Sequence, residues 1–400
     1  MSIELPVITL NNKADRRLRG GHLWIYSNEI NTTVTPIKDI PAGQQVFVEN
    51  AQGKFMGVAY INPHNLICGR IVSRDKRYLL DKSLLVHRIK IALGLREMIS
   101  AEACYRLIYG DSDNLPGLVV DRFGDILVVQ IGTQGMELLK QDIIDALCQV
   151  LKPRGILLKN DSRIRAIEDL PSYVEVVYGE VPEFVPLIEN GVAFEAPVFA
   201  GQKTGWFYDH RASRARLADY VKGKRVLDVF SYIGGWGVQA AAFGAEQVIC
   251  VDSSEFALDC VHRNAELNGV GERVESLLGN AFDAMKQLFE EGERFDVIIM
   301  DPPAFIPRRK DTKKGEQAYR RVNELAMRLL NREGILVSGS CSMHLSRTVL
   351  VDLLRQSSRH LDRQLQILEQ GGQAFDHPVH PAIPETDYLK AVFARVLPVS

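Results

Sequence analysis

The second half of this 400-residue chain alternates short apolar runs with helix-like segments, and that order leaves few folds open. RVLDVF, QVICVD, VESLL, FDVIIM and GILVSGS are the strand-like runs, and a helical pattern follows each of the first four. Strands joined by crossover helices pair in parallel, so residues 191–400 predict a mostly parallel, doubly wound α/β sheet. QLQILEQ and KAVFARVL, separated by a Pro- and His-rich loop, predict an antiparallel end to that otherwise parallel sheet. Residues 1–75 hold short strand-like runs between turn residues (LPVITL, QQVFVEN, FMGVAYI, LICGRIV) and read as a small β-rich domain. Residues 76–190 combine the helix-like DKSLLVHRIKIALGLREMI, an amphipathic helix over 134–150 and the strands RLIYG, GLVVD, DILVVQI and GILLKN, a central α+β domain.

Composition narrows the setting. The chain carries 48 Lys/Arg against 50 Asp/Glu, a net charge of −2. This excludes a polybasic tail but not nucleic acid, which needs only a local patch. No apolar run approaches the roughly 20 residues that cross a bilayer, and the start lacks the basic-then-apolar order of a secretory signal. A cytoplasmic protein without a membrane partner is expected. The six cysteines form neither CxxC pairs nor clusters with His, so neither a disulfide framework nor a metal site is expected.

Between the first strand and its helix lies DVFSYIGGWGV, a Gly-rich turn that lets a ligand approach the backbone. The second strand ends in Asp252, where an acid can hold both hydroxyls of an adenosine ribose. Sheets that bind NAD and sheets that bind S-adenosylmethionine share this pairing. Gly234-Gly235-Trp236-Gly237 does not satisfy G-x-G-x-x-G, and bulky Trp236 sits where a pyrophosphate needs open backbone. After the third strand, Asn280 can reach an adenine edge, with Phe282 near its face.

FDVIIMDPPAFIP is the most specific local signal: an acid, Asp301, ends the fourth strand and two prolines stiffen the exit. In methyltransferases such a loop meets the nucleobase. Amino-methylating enzymes usually have an aromatic directly after Pro-Pro; here Ala304 comes first and Phe305 second. The fifth strand ends in Cys341, near the expected position of Asp301. A thiolate added to C6 of cytosine makes C5 nucleophilic, so these two residues predict C5 methylation, with Cys341 attacking and Asp301, charged or protonated, gripping N3 and N4.

GQKTGWFYDHR (201–211), DVFSYIGGWGV, VDSSEFALDCVHRNAELN, MDPPAF, SGSCS and DHPVHPAIPETDYLK together resemble the RlmI-like family of class I S-adenosylmethionine-dependent rRNA methyltransferases. GGHLWIYSNEI and YGDSDNLPGLVVDRFGD look like the same family's other two domains. The resemblance implies a PUA-like RNA-binding domain, a central α+β domain and a Rossmann-like catalytic domain that methylates cytosine C5 in large-subunit (23S) ribosomal RNA. It implies S-adenosylmethionine contacts from Asp228, Phe230, Ser231, Tyr232, Gly234, Gly235, Asp252, Ser253, Asn280, Ala281 and Asp301, and a cleft shaped by Lys203, Thr204, Asp209 and Arg211. Ile233 stands where relatives often have Thr, and Asn280 where an acid is frequent.

Two basic runs fit an RNA partner. Residues 307–321, expected as a loop, carry seven Lys/Arg against two acids and offer Arg308, Arg309, Lys310, Lys313, Lys314, Arg320 and Arg321 to phosphates. Near the start, Lys13, Arg16, Arg17 and Arg19 lie beside aromatics. Arg163 and Arg165 could extend the track, and His377 and His380 could line the cleft. Other readings are an RNA or DNA amino-methyltransferase and a non-catalytic RNA-binding assembly factor with a cofactor cleft. An NAD oxidoreductase would leave Asp301-Pro-Pro, Cys341 and the basic run without a purpose. Oligomeric state is open, a homodimer among the options.

Overall fold

The computed structural model describes residues 4–399; Met1–Ile3 and Ser400, the outer ends of the first and last expected domains, lie outside them. The chain divides into two compact units, Met1–Val185 with Pro197–Trp206 and Phe375–Thr386, and Pro186–Ala196 with Phe207–Ala374 and Asp387–Ser400.

In the first unit, β1 (Val7–Thr9), β2 (Trp24–Tyr26), β3 (Gln45–Glu49), β4 (Phe55–Ile61) and β5 (Ile67–Ser73) form a sheet ordered β1-β3-β4-β5-β2. In β3 the buried Val46 and Val48 alternate with more exposed neighbours, the period of a one-faced strand. A second sheet has β6 (Cys104–Tyr109), β7 (Leu118–Phe123), β8 (Ile126–Ile131), β9 (Gly155–Asn160) and β10 (Tyr173–Gly179) in the order β10-β9-β8-β7-β6. Asp81 caps the helix Lys82–Ile99 by accepting from the Leu84 N–H at 2.9 Å. Buried Leu85, Ile89 and Ala92 of that helix join the core of this region with Ile143, Ile144 and Leu147.

Two expectations for this unit need correcting. The helix expected over 134–150 is two pieces, Gln134–Leu138 and Lys140–Leu151, because the first closes on an i→i−3 bond from Leu139 N–H to Met136 O. Arg165 does not extend an RNA track: it is 1% exposed and pairs with Glu137 at 2.8 Å.

A hairpin, β11 (Phe184–Glu189) and β12 (Val192–Pro197), precedes the second unit's sheet. That sheet comprises β13 (Arg225–Val229), β14 (Gln247–Asp252), β15 (Val274–Leu278), β16 (Phe295–Met300), β17 (Leu330–Ser340), β18 (Arg363–Gly371) and β19 (Lys390–Pro398), ordered β15-β14-β13-β16-β17-β19-β18. The first five pair in parallel, and β19 runs antiparallel to both β17 and β18. Val226, Leu227, Asp228 and Val229 of β13 are all fully buried, as expected of a central parallel strand covered on both faces. Strand order reverses between β13 and β16, and a doubly wound sheet opens its ligand crevice at the carboxyl ends beside such a switch point.

Candidate active site

Register decides which strand ends meet. Val229 pairs with Met300, Met300 with Ser338, and Ser340 with Lys390. The residues that leave β13, β16 and β17 are therefore neighbours, although more than a hundred positions separate the first from the last.

The turn after β13 is held in an unusual backbone conformation: Phe230 (φ 67°), Tyr232 (φ 48°) and Gly234 (φ 86°) all lie in the left-handed region. Two carboxyls hold it there. Asp228 Oδ2 accepts the Gly237 N–H at 2.8 Å, and Asp252 Oδ2 accepts the Tyr232 N–H at 2.9 Å while its Oδ1 accepts the Ser254 N–H at 3.0 Å. Gly237 has to be glycine: a Cβ there would lie 2.5 Å from Cys250 Sγ and 3.0 Å from Asp228 Oδ2. Burial pushes Asp228 up to about 8, against the opposing Gly237 N–H, so near pH 7 it is mostly the neutral acid. Asp228 Oδ1 and Ser231 Oγ are buried with no hydrogen-bond partner among the described residues, an arrangement a polar ligand can complete. Asn280 caps the helix Ala281–Glu290 by accepting from the Phe282 N–H at 2.9 Å, and Ser253 and Asn280 are exposed.

Asp301 follows β16. Its Oδ2 accepts from Trp236 Nε1–H at 3.0 Å, and its Oδ1 lies 3.1 Å from His210 Nε2. Burial would raise the Asp301 pKa, but the His210 charge and the Trp236 bond outweigh it and hold the carboxyl below its ordinary range. Burial would lower His210, yet the Asp301 charge wins and raises it. The pair therefore favours imidazolium beside carboxylate, which counts against a protonated Asp301 in the resting protein. The His210 ring leans on Trp236, with centroids 5.2 Å apart. Next to it, Asp209 Oδ2 accepts from the Tyr388 hydroxyl at 2.5 Å. Arg211 is buried, its guanidinium 5.4 Å from the Tyr208 ring centre. Lys203 and Thr204 belong to the other unit, where the Thr204 hydroxyl donates to Asp121 at 2.5 Å.

Cys341 follows β17 and is half-buried. A Cβ on Gly339 would lie 3.0 Å from Asp301 Oδ1, so that face of β17 meets the carboxylate two residues before Cys341. Buried serines flank the cysteine. Ser340 Oγ donates to the Tyr319 hydroxyl at 2.9 Å, and that hydroxyl shares a 2.8 Å bond with Ser342 Oγ, which also accepts the Ile306 N–H at 3.2 Å. From β19, Lys390 Nζ donates to the carbonyls of Ser342 at 2.6 Å and Tyr388 at 2.7 Å. Burial lowers Lys390 to about 8, with Cys341 among the charges acting in the opposite direction. Trp236, His210, Tyr319 and Lys390 were not assigned site roles from sequence. The DYLK run held Lys390 in view, but nothing local marks Tyr319, mid-helix, as a clamp.

The basic runs are partly neutralised. The segment 307–321 is not one loop: a helix begins at Thr312 and runs to Leu329, its buried Gly315, Tyr319 and Val322 facing the core. Arg308 pairs with Asp311 and Arg320 with Glu324, whereas Arg309, Lys310, Lys313, Lys314 and Arg321 are exposed without a carboxylate partner among the described residues. Arg321 lies over the Phe282 ring at 5.1 Å. Near the start, Arg17 pairs with Glu29 and Arg19 with Asp15, leaving Lys13 and Arg16 exposed. His377 is buried with its Nδ1 2.9 Å from Asp376, and His380 Nδ1 accepts the Ala382 N–H.

Residues 8–74 match a model for the PUA-like domain, and residues 152–392 match one for S-adenosylmethionine-dependent methyltransferases. A ribosomal RNA large subunit methyltransferase I from Vibrio cholerae is 35% identical over 399 residues, covering 98% of this chain and all of the relative. The protein of the same name from Photobacterium profundum is 35% identical over 381 residues, 94% of this chain and 96% of its own. A solved structure from Streptococcus mutans, described as a S-adenosylmethionine-dependent methyltransferase, superposes with a TM-score of 0.83 at 21% identity over 98% of this chain and all of its own. A tRNA m1G37 methyltransferase from M. jannaschii reaches 0.52 at 16% identity over 78% of each chain, so the fold alone does not choose the base. With a model match over more than half its length and relatives this similar end to end, the chain belongs to the S-adenosylmethionine-dependent methyltransferases, in the family of ribosomal RNA large subunit methyltransferase I.

Proposed function

We propose that this protein methylates cytosine at C5 in large-subunit ribosomal RNA, with Cys341 as the nucleophile and Asp301 as the group that orients the base. One observation carries the reading: a cysteine and a carboxylate follow the ends of adjacent parallel strands, beside the turn that fits the cofactor. S-adenosylmethionine supplies an electrophilic methyl group. Asp252 would hold its ribose hydroxyls. Asp228 Oδ1 and Ser231 Oγ would meet its polar groups along the Phe230–Gly235 turn, with Ser253, Asn280 and Ala281 at the adenine.

The target cytosine has to leave its helix to reach the site. Cys341 Sγ, as thiolate, would add to C6, forming an S–C6 bond and moving the C5=C6 electron pair to C5, which would take the methyl group as its bond to the sulfonium sulfur breaks and leaves its electron pair on that sulfur as a neutral thioether. Asp301, held anionic by His210 and Trp236, accepts from the N4 amino group. His210, whose ring nitrogens are buried, would act on the base only through Asp301, 3.1 Å away, as charge builds on the ring. Removal of the C5 proton restores the double bond and releases the thiolate. Exposed Arg309, Lys310, Lys313, Lys314 and Arg321 grip phosphates near the site.

The test is Cys341→Ala with ribosomal RNA from a strain lacking the protein. The variant should bind S-adenosylmethionine normally and form no 5-methylcytosine. Full turnover by it removes the nucleophile from the mechanism, and a methylated amino group in the nucleoside digest favours the amino-methyltransferase reading.

A further inference from the structure

Far along the chain from Cys341, the first unit contains a cavity of about 1050 Å³ between the segment leaving β5 and the helix Lys82–Ile99. Two arginines in its wall have no carboxylate partner among the described residues. Arg88, half-buried, donates only to the carbonyls of Val72 and Asn114, and burial lowers it to about 10. Arg74 donates to the carbonyls of His22 at 3.1 Å and Met56 at 3.4 Å, and burial lowers it as well. Acids are present in the same wall, but each is engaged elsewhere. Asp75 takes Arg77 at 2.6 Å, Asp113 takes Arg96 at 2.6 Å, and Asp81 caps the helix. A guanidinium that loses water without gaining an anion is unfavourable unless an anion arrives from outside. Beside the two cations, Tyr78 is 54% exposed and Ile91 is 61% exposed, large apolar groups bordering a charged cavity.

We propose that this groove holds a single-stranded segment of the RNA substrate, with Arg74 and Arg88 on consecutive phosphates and Tyr78 stacked on a base. This rests on the reading of RNA as substrate, not on the cysteine chemistry. Uncompensated arginines beside an exposed aromatic match a strand that alternates phosphate and π-face. An acidic peptide would use the cations and leave Tyr78 idle.

The experiment measures binding of unmodified large-subunit ribosomal RNA to the full chain across a salt series. Arg74→Gln/Arg88→Gln removes two contacts. It should weaken binding about 25-fold at 0.1 M salt, with a log–log salt slope shallower by about 1.4. Cofactor affinity and turnover at saturating RNA should stay unchanged. Because Arg74 and Arg88 each also hold two carbonyls, Tyr78→Ala, at an exposed position, provides the variant that keeps the fold, and it should raise KM for RNA without lowering kcat. Wild-type binding with an unchanged salt slope in the double variant would overturn the groove. So would poly-glutamate binding that depends on Arg74 while RNA binding does not. Failure of the wild type to bind RNA would instead refute the substrate reading itself.

Discussion

Tyr319→Phe removes one oxygen and keeps the ring against Phe305, whose centroid is 4.9 Å away. That oxygen bridges Ser340 and Ser342, the residues on either side of Cys341. Ser342 would keep the Ile306 N–H and Ser340 Oγ the Ser342 N–H at 3.2 Å, but the proton of the buried Ser340 hydroxyl would lose its acceptor. A buried polar group left unsatisfied costs about 1–3 kcal/mol. In a unit of this size each kcal/mol moves the melting temperature by roughly 2–4 °C, so a fall of about 2–12 °C is expected. If the bridge also sets where the sulfur sits, turnover should drop further than stability implies, because a displacement near 1 Å can cost about 100-fold in rate. The assay is labelled-methyl transfer at 25 °C, well below the melting temperature, beside a thermal melt and a cofactor titration. We expect kcat to fall by about 10- to 100-fold with cofactor affinity intact. A melt that shifts as calculated while kcat stays within twofold of wild type would refute the clamp and leave the bridge as core hydrogen bonding. A Ser340→Ala/Tyr319→Phe cycle should show coupling of about 0.5–3 kcal/mol in stability.

Other perturbations test the remaining parts. Lys390 has a folded pKa of about 8 against an ordinary 10.5, so the unfolded chain binds more protons in that window and wild-type stability should rise with pH there. Lys390→Met should lose that rise in thermal melts, and its Cys341 should react more slowly with iodoacetamide at pH 7. His210 is raised and Asp301 lowered by their contact, so the pair stabilises most between the ordinary Asp and His values and fades as pH climbs through the His210 pKa. The melting deficit of His210→Gln should therefore be larger near pH 5.5 than at pH 9; an equal deficit at both would mean the proton is not shared. Gly237→Ala puts a Cβ against Cys250 and Asp228 and should weaken cofactor binding in calorimetry. Gly94→Ala, in a helix with nothing within 4 Å of the added atom, should leave cofactor binding unchanged.

Much of the site was legible because its parts sit at strand ends that pattern alone identifies. Asp252, Asp301 and Cys341 each close an apolar run and Asp228 sits inside another, and the runs became β14, β16, β17 and β13. The antiparallel end, QLQILEQ and KAVFARVL, became β18 and β19. Misreadings arose where charge was counted without geometry. Arg165 looks like surface in a linear string but reaches back to Glu137, and Arg17 reaches Glu29 twelve residues on. The basic run after Pro-Pro continues into a helix because its apolar residues recur at helical spacing, a period the lysines and arginines obscure.

Local pattern alone determined the alternation of elements and the glycine turn and singled out the candidate reactive groups, since each depends on residues within a short window. Which groups stand together is a different matter, because strand order is a long-range pairing that no window of sequence contains. Only the tertiary structure set Trp236 and His210 on Asp301, bonded Tyr319 and Lys390 to residues beside Cys341, and left Arg74 and Arg88 without a carboxylate partner among the described residues. The charge state of a buried carboxylate depends on neighbours brought from sixty to ninety residues away, so Asp301 acquires its ionisation from the fold.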